Sequence, residues 1–258
     1  MKLTFLGTGT SFGVPVIGCD CSTCTSDDPR DRRTRHGALV DLPAGRLLVD
    51  APPELRLQLL AAGVTSIDAL WLTHTHADHV HGIDDVRALT AQGGDLPTWT
   101  APEYVQQLQE RFRYIFDDSV RPPKGSSKPR IVLNTFEAFE SITLLGEEFI
   151  PLQVPHGGPM VYGFRVGGLG YVTDAKTLPD QALDELRGVD VLVLNALWFG
   201  RPHGSHFNIE EAIEAASQVG AGVTYLTHLT HRVRHSELLA KLPAKVLPAY
   251  DGLVVDVG

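Results

Sequence analysis

The stretch His74-Thr-His-Ala-Asp-His79 decides how this chain is read. It follows directly on Ala69-Leu-Trp-Leu-Thr73, an uncharged run with the composition of a buried strand. Three imidazoles and one carboxylate therefore stand within six positions at the end of that strand. In an extended segment residues i and i+2 face the same way, so His74 and His76 can share one ion. A turn after them points Asp78 and His79 at a neighbouring position. Gathering so many ionisable groups costs desolvation that only a cation or water between them relieves. His36, His81 and His235 stand alone and read as ordinary core or surface histidines.

Four residues do not complete two metal shells, and later strand ends supply more. His156 follows the apolar run 149–154, Asp174 follows Tyr171-Val-Thr173, and His228 follows Val223-Thr-Tyr-Leu-Thr227. A second chemistry sits in Gly18-Cys-Asp-Cys-Ser-Thr-Cys24, which holds all three cysteines. An odd number cannot all pair as internal disulfides. The C-x-C-x-x-C spacing brings Cys19, Cys21 and Cys24 to one side of a tight loop, as a tetrahedral, thiolate-seeking cation requires, and leaves a fourth ligand to be found.

The rest of the chain gives these ligands a frame. With 258 residues and 43% hydrophobic composition it can bury a full core. No low-complexity linker divides it, so one domain over residues 1–258 is expected. A hairpin joins 38–42 to 46–50 around Pro43-Ala-Gly45; a short helix runs from Pro53 to Gly63. A longer helix is expected from Pro102 through Ile115. Strand patterns return at 131–133, 149–150, 162–166, 171–173 and 191–194. Asn208 and Glu211 form a capping pattern before an apolar stripe ending at Gly220, and a short helix near 236–242 precedes a last strand at 253–256. Two β-rich halves, each with helices, predict two sheets between helix layers. Gly7, Gly9 and Gly13 read as a turn packed close to the site floor, because no Gly-Lys-Ser/Thr follows them.

A formal charge of -9 argues against a surface built for long nucleic acid. Arg30, Arg32, Arg33 and Arg35, like Arg121, Lys124, Lys128 and Arg130, read as solvated loop charge. The start of the chain reaches Gly7 too soon for a secretory core, and no apolar run approaches the ~18 residues a membrane span needs. A cytoplasmic location follows, without a membrane partner, and it suits reduced thiols.

On the H-x-H-x-D-H run and the later His, Asp and His at strand ends, the sequence resembles the metallo-β-lactamase-fold hydrolases over nearly its whole length. The resemblance implies an α+β fold, an αββα four-layer sandwich. It also implies one divalent metal held by His74, His76 and His156, a second held by Asp78, His79 and His228, and Asp174 as the bridge. Within that superfamily the chain looks closest to the cyclic phosphodiesterases of phosphonate breakdown, relatives of ribonuclease Z. In that branch a G-C-x-C-x-x-C loop and a second His three residues beyond the last active-site one bind a structural zinc; here these are Cys19, Cys21, Cys24 and His231. The same branch places a His at the position of His206 near the scissile phosphate, where the start of the following helix would favour an anion.

The expected function is therefore a dinuclear-metal-dependent phosphodiesterase. Its substrate would be a small cyclic nucleotide or cyclic sugar phosphate, attacked at phosphorus by a metal-activated hydroxide that Asp78 orients, with His206 meeting the leaving oxygen. Zinc, manganese or iron suits the catalytic donors, and zinc suits the thiolates. A small substrate is preferred because no long basic or Gly-Pro-rich arm is present; the segment 114–130 is expected as a partial lid, and a homodimer is compatible with the sequence. Competing expectations are hydrolysis of a thioester or lactone, an RNA-processing nuclease of the ribonuclease Z type, and a non-catalytic metal-binding scaffold.

Overall fold

A computed structural model describes residues 1–258, apart from the side chains of residues 92 and 93. The first sheet has the order β14-β1-β2-β3-β4-β5-β6, built from β1 (Lys2–Gly7), β2 (Gly37–Leu42), β3 (Gly45–Val49), β4 (Ala69–Trp71), β5 (Leu96–Thr100), β6 (Ile131–Thr135) and β14 (Val254–Asp256). The second has the order β13-β12-β11-β10-β9-β8-β7, built from β7 (Ile142–Leu144), β8 (Glu147–Pro155), β9 (Met160–Val166), β10 (Leu169–Tyr171), β11 (Val191–Asn195), β12 (Val223–Thr227) and β13 (Val246–Pro248). Each sheet is antiparallel on one side and parallel on the other. Parallel pairs need crossover segments, and the helices lie there. Helix α1 (Leu55–Ala61) packs on β1, α6 (Asp180–Leu186) on β8, α7 (Ile209–Val219) on β11 and α8 (His235–Lys241) on β13. The architecture is the αββα sandwich that the sequence implied. Among the described residues no helix is long and apolar enough to cross a membrane.

The two sheets meet through aromatic side chains. Trp71 of β4 is fully buried, stacks on Phe136 at 4.5 Å and meets Phe164 of β9 edge-on at 5.2 Å. Phe164 in turn stacks on Tyr171 of β10 at 5.3 Å. The indole N–H of Trp71 donates to the carbonyl of Tyr162 at 2.8 Å, so the largest core side chain also satisfies its polar atom across the sheet interface.

Strand direction fixes where the site must lie. β3 and β4 are parallel, as are β10, β11 and β12, and β8 runs with β10 because β9 is antiparallel to both. The ends of β3, β4, β8, β10 and β12 therefore deliver Asp50, the His74–His79 run, His156, Asp174 and His228. Close backbone approach is required beside them. A Cβ on Gly7 would lie 2.0 Å from the Arg35 carbonyl oxygen, and one on Gly82 would lie 1.9 Å from that of Pro52.

Several expectations need correction. The helix from Pro102 stops at Arg111 (α4); Phe112 leaves the helical region at φ -113°, ψ 43° with its ring buried, and a separate turn, α5 (Arg113–Phe116), carries Ile115. Arg33 is no solvated loop residue. Only 1% exposed, it donates to the carbonyls of Thr230 (2.7 Å) and Val233 (3.0 Å) and lies 3.4 Å from Asp31, clamping the turn after β12. The bonds of the segment expected as a lid run from Tyr114 to Asp84, Lys128 to the Asp117 carbonyl and Arg130 to Asp95, not to the histidines. Among elements that the sequence pattern hid are β5, whose Pro97 lowers strand propensity, and the short helices α2 (Ala77–Val80), α3 (Arg87–Gly93) and α6.

Replacing Trp71 with Ala should remove about 3–5 kcal/mol of unfolding free energy, measured by urea denaturation. A loss under about 1 kcal/mol would contradict its place as the cross-sheet anchor.

Candidate active site

Asp174 stands at the centre. It follows β10, is buried, and holds φ at 54°, a left-handed conformation that turns its carboxylate back over the strand end. His228 after β12 (φ 56°) and Asp50 after β3 (φ 61°) use the same device. Of the five non-glycine residues with positive φ among the described residues, three are therefore in this one nest, as expected where surrounding contacts impose a local strain for function.

Imidazole Nε2 atoms converge on the Asp174 carboxylate. Its Oδ2 lies 3.3 Å from His79, 3.5 Å from His206, 3.7 Å from His74 and 3.8 Å from His156, and its Oδ1 lies 3.3 Å from His228. Asp78 Oδ2 lies 3.6 Å from His79 Nε2 and 3.8 Å from His228 Nε2. Most of these separations are too long for hydrogen bonds. They match the edge between two ligands around one cation, roughly 3.3–3.6 Å for bonds of about 2.0–2.2 Å. The donors fall into sets within mutual reach: His74, His76, His156 and Asp174; Asp78, His79 and His228; and Asp174, His206 and His228.

Orphaned atoms make the same point. Nε2 of His74, His79, His206 and His228 are buried and have no hydrogen-bond partner among the described residues. Hydrogen bonds at Nδ1 explain which way His79, His74 and His156 face, whereas Nδ1 of His228 has no partner among the described residues. His79 Nδ1 bonds to Asp50 Oδ2 at 2.6 Å, His74 Nδ1 to the Thr73 hydroxyl at 3.0 Å, and His156 Nδ1 to the Ser205 carbonyl at 2.9 Å. Asp50 also accepts from the Thr73 amide and hydroxyl, so one fully buried carboxylate orients both ends of the H-x-H-x-D-H run. Nε2 lone pairs aimed at a common centre, fixed by hydrogen bonds behind them, are what a metal shell requires. These residues fit two divalent cations.

Charge follows the same arrangement. Burial opposes the charge on His79, but Asp174, Asp50 and Asp78 outweigh it and push the imidazole well above its usual range. Burial, reinforced by His79, pushes His74 well below. Burial likewise opposes ionisation of Asp174, yet His228 and His79 hold it well below the ordinary carboxylate range. The same carboxylates that draw His79 toward its charged form are the anionic groups a bound cation would otherwise balance.

His206 was expected beside the phosphate; its ring stacks on His228 at 4.9 Å and meets His156 edge-on at 4.5 Å, inside the donor cluster itself. The expectation that the next helix start would bind the phosphate is corrected. Asn208 Oδ1 already accepts from the Glu211 amide, Glu211 accepts from the Asn208 amide, and the Ile209 amide donates to the Trp198 carbonyl. With Glu210 and Glu211 in its first turn, that helix start is capped by its own acids.

The cysteine loop meets its fourth partner. His231 Nδ1 lies 3.3 Å from Cys19 Sγ, 3.6 Å from Cys21 Sγ and 3.7 Å from Cys24 Sγ, spacings proper to a Cys3His tetrahedron. A hydrogen bond from the Cys24 backbone pulls the Cys21 thiol down to about 6, whereas desolvation pushes Cys24 up. Three thiolates this close need a cation to coexist.

Asp50 is the functional residue that reading the sequence overlooked. It ends the apolar run Leu47-Leu-Val-Asp50 as Asp174 ends Tyr171-Val-Thr173, and the same rule would have found it. His36, read as an ordinary histidine, is buried and bonded to the Tyr171 hydroxyl (2.6 Å) and that of Thr227 (3.2 Å), with its ring 5.8 Å from His79.

A nest of this kind at one edge of two facing sheets marks a hydrolase of the metallo-β-lactamase fold, a class that implies bound divalent metals. The chain belongs to the family described as beta-lactamase superfamily domain, whose model matches residues 45–229. A solved structure of a new diphosphatase from the PhnP family superposes with a TM-score of 0.91 at 38% identity, covering 100% of this chain and 98% of that one. An octanoyltransferase of Porphyromonas gingivalis is 34% identical over 255 residues, 98% of this chain; the chain spans 51% of that relative's length. A ribonuclease Z of Pyrobaculum neutrophilum is 25% identical over 286 residues, 94% of this chain and 92% of the relative.

Asp50→Asn should preserve the fold, because Asn tolerates positive φ. It should weaken metal retention by about 10–100-fold through misdirected His79 and Thr73, read by competition with a chromogenic chelator. Undiminished retention would show that Asp50 does not orient the nest.

Proposed function

We propose that the protein is a dinuclear-metal phosphodiesterase acting on a small substrate, a cyclic nucleotide or a cyclic sugar phosphate. The observation that carries this reading is His206: half-buried, with an unpartnered Nε2 3.5 Å from Asp174 Oδ2. Expelling an alkoxide needs a proton at the departing oxygen, and a thiolate leaving group does not. Burial draws the His206 imidazole down, and the neighbouring Asp174 carboxylate opposes that shift.

His74, His76 and His156 would hold one cation, Asp78, His79 and His228 the other, with Asp174 between them. Zinc or manganese suits these donors, and iron is compatible with them; zinc suits the thiol nest. Bound there, the cations would supply Lewis acidity to the phosphoryl oxygens and lower the pKa of water toward neutral pH. Asp78 has 11% side-chain exposure against 2% for Asp174, so it is the carboxylate able to accept a hydrogen from the attacking water and aim it. His206 delivers the proton to the leaving oxygen. Similarity to a diphosphatase and to ribonuclease Z, names that denote hydrolysis of phosphorus–oxygen bonds, supports this choice over a thioester or lactone.

A second reading, an RNA-processing nuclease, is favoured by the ribonuclease Z relatives, and the net charge of -9 weighs against it.

Metal-loaded protein should hydrolyse bis(p-nitrophenyl) phosphate and lose that activity on chelation; activity confined to a thioester would overturn the reading. Elemental analysis should find about three ions per chain, one surviving mild chelation. His206→Ala should lower kcat by about 10²–10⁴-fold on an alkyl phosphodiester. It should do much less on the aryl ester, whose leaving group needs no proton.

A further inference from the structure

Beside the histidine nest lies a cavity of about 410 Å³, lined at one end by His206 and His228. Its remaining wall comes from three separate segments. Phe12 stands in the loop that leads to the cysteine nest, and Trp198 and Arg232 come from the segments after β11 and β12. Phe12 is 72% exposed, an aromatic ring left in water at the edge of the site. The Arg232 guanidinium lies 4.3 Å from the centre of the Trp198 ring. It enters no ion pair among the described residues, whereas Arg33 and Arg35 each hold a carboxylate. His231, directly before Arg232, is held among the three thiols, so this wall is anchored.

We propose that Phe12, Trp198 and Arg232 form a base-binding subsite, and that the substrate is therefore a nucleotide ester and not a simple sugar phosphate. The proposal rests on the phosphodiesterase reading, whose two substrate classes it separates. A ligand with its phosphoryl group at the nest must place its remainder in this cavity. A bare sugar would find few hydroxyl partners there: Thr10 and Ser11 line one side, while the Thr230 hydroxyl is taken by the Leu197 carbonyl and the His231 ring nitrogen by the thiols. What the cavity offers in quantity is flat surface: an indole carrying a guanidinium plane, and a free phenyl ring. Planar heteroaromatic bases stack on such surfaces without sequence-specific hydrogen bonds, and Arg adds a cation–π contribution.

Isothermal titration of the metal-loaded full chain with adenosine 5′-monophosphate and with ribose 5-phosphate tests this, since the two differ by the base alone. Adenosine 5′-monophosphate should bind at least about tenfold more tightly, the scale of one stacked base. Phe12→Ala and Arg232→Ala should each shrink that ratio at least about threefold, Phe12 being too exposed for its loss to threaten folding. Equal binding of the two ligands, or a preference that survives both substitutions, overturns the subsite. Failure to cleave bis(p-nitrophenyl) phosphate would instead be a failure of the phosphodiesterase reading, and the binding ratio is measured independently of it.

Discussion

A buried carboxylate encircled by imidazole nitrogens that have nothing to bond to is the constraint on which this molecule turns. Asp174 sits within 3.3–3.8 Å of five Nε2 atoms, a packing of polar groups that a low-dielectric interior tolerates only when something of opposite charge fills the gaps. Two sheets facing each other, each ending its parallel strands at one edge, are a way of bringing such donors together from distant parts of the chain. The strained backbone at Asp50, Asp174 and His228 shows local conformational preference giving way to that demand.

Much of the nest could be read from the chain because its members obey a positional rule that survives folding. His156, Asp174 and His228 each follow an apolar strand, and the H-x-H-x-D-H run is too dense in ionisable groups for ordinary packing. Asp50 obeyed the same rule and was missed because it stood alone, with no neighbouring ligand to draw attention to it. Fold legibility failed for a different reason. β5 contains a proline, and α2, α3 and α6 are single or double turns that tertiary packing holds in place and intrinsic propensity alone would not. Arg33 was unreadable in principle: its partners are carbonyls about 200 residues away.

The cysteine nest and the histidine nest are joined by two residues. His228 closes one and His231 belongs to the other; between them Leu229 donates its amide to the Thr8 carbonyl and Thr230 bonds to Leu197. Arg33 holds the same turn from beneath. The loop 18–24 and the histidine edge therefore share one short connection.

Strand β14 lies beside β1, so the first sheet is completed by residues 254–256, which are made after every strand of the second sheet. β1 therefore leaves the ribosome long before its outer neighbour exists and waits through synthesis of the whole second sheet with one side unpaired. During that interval its unpaired edge is a template for wrong strand pairing.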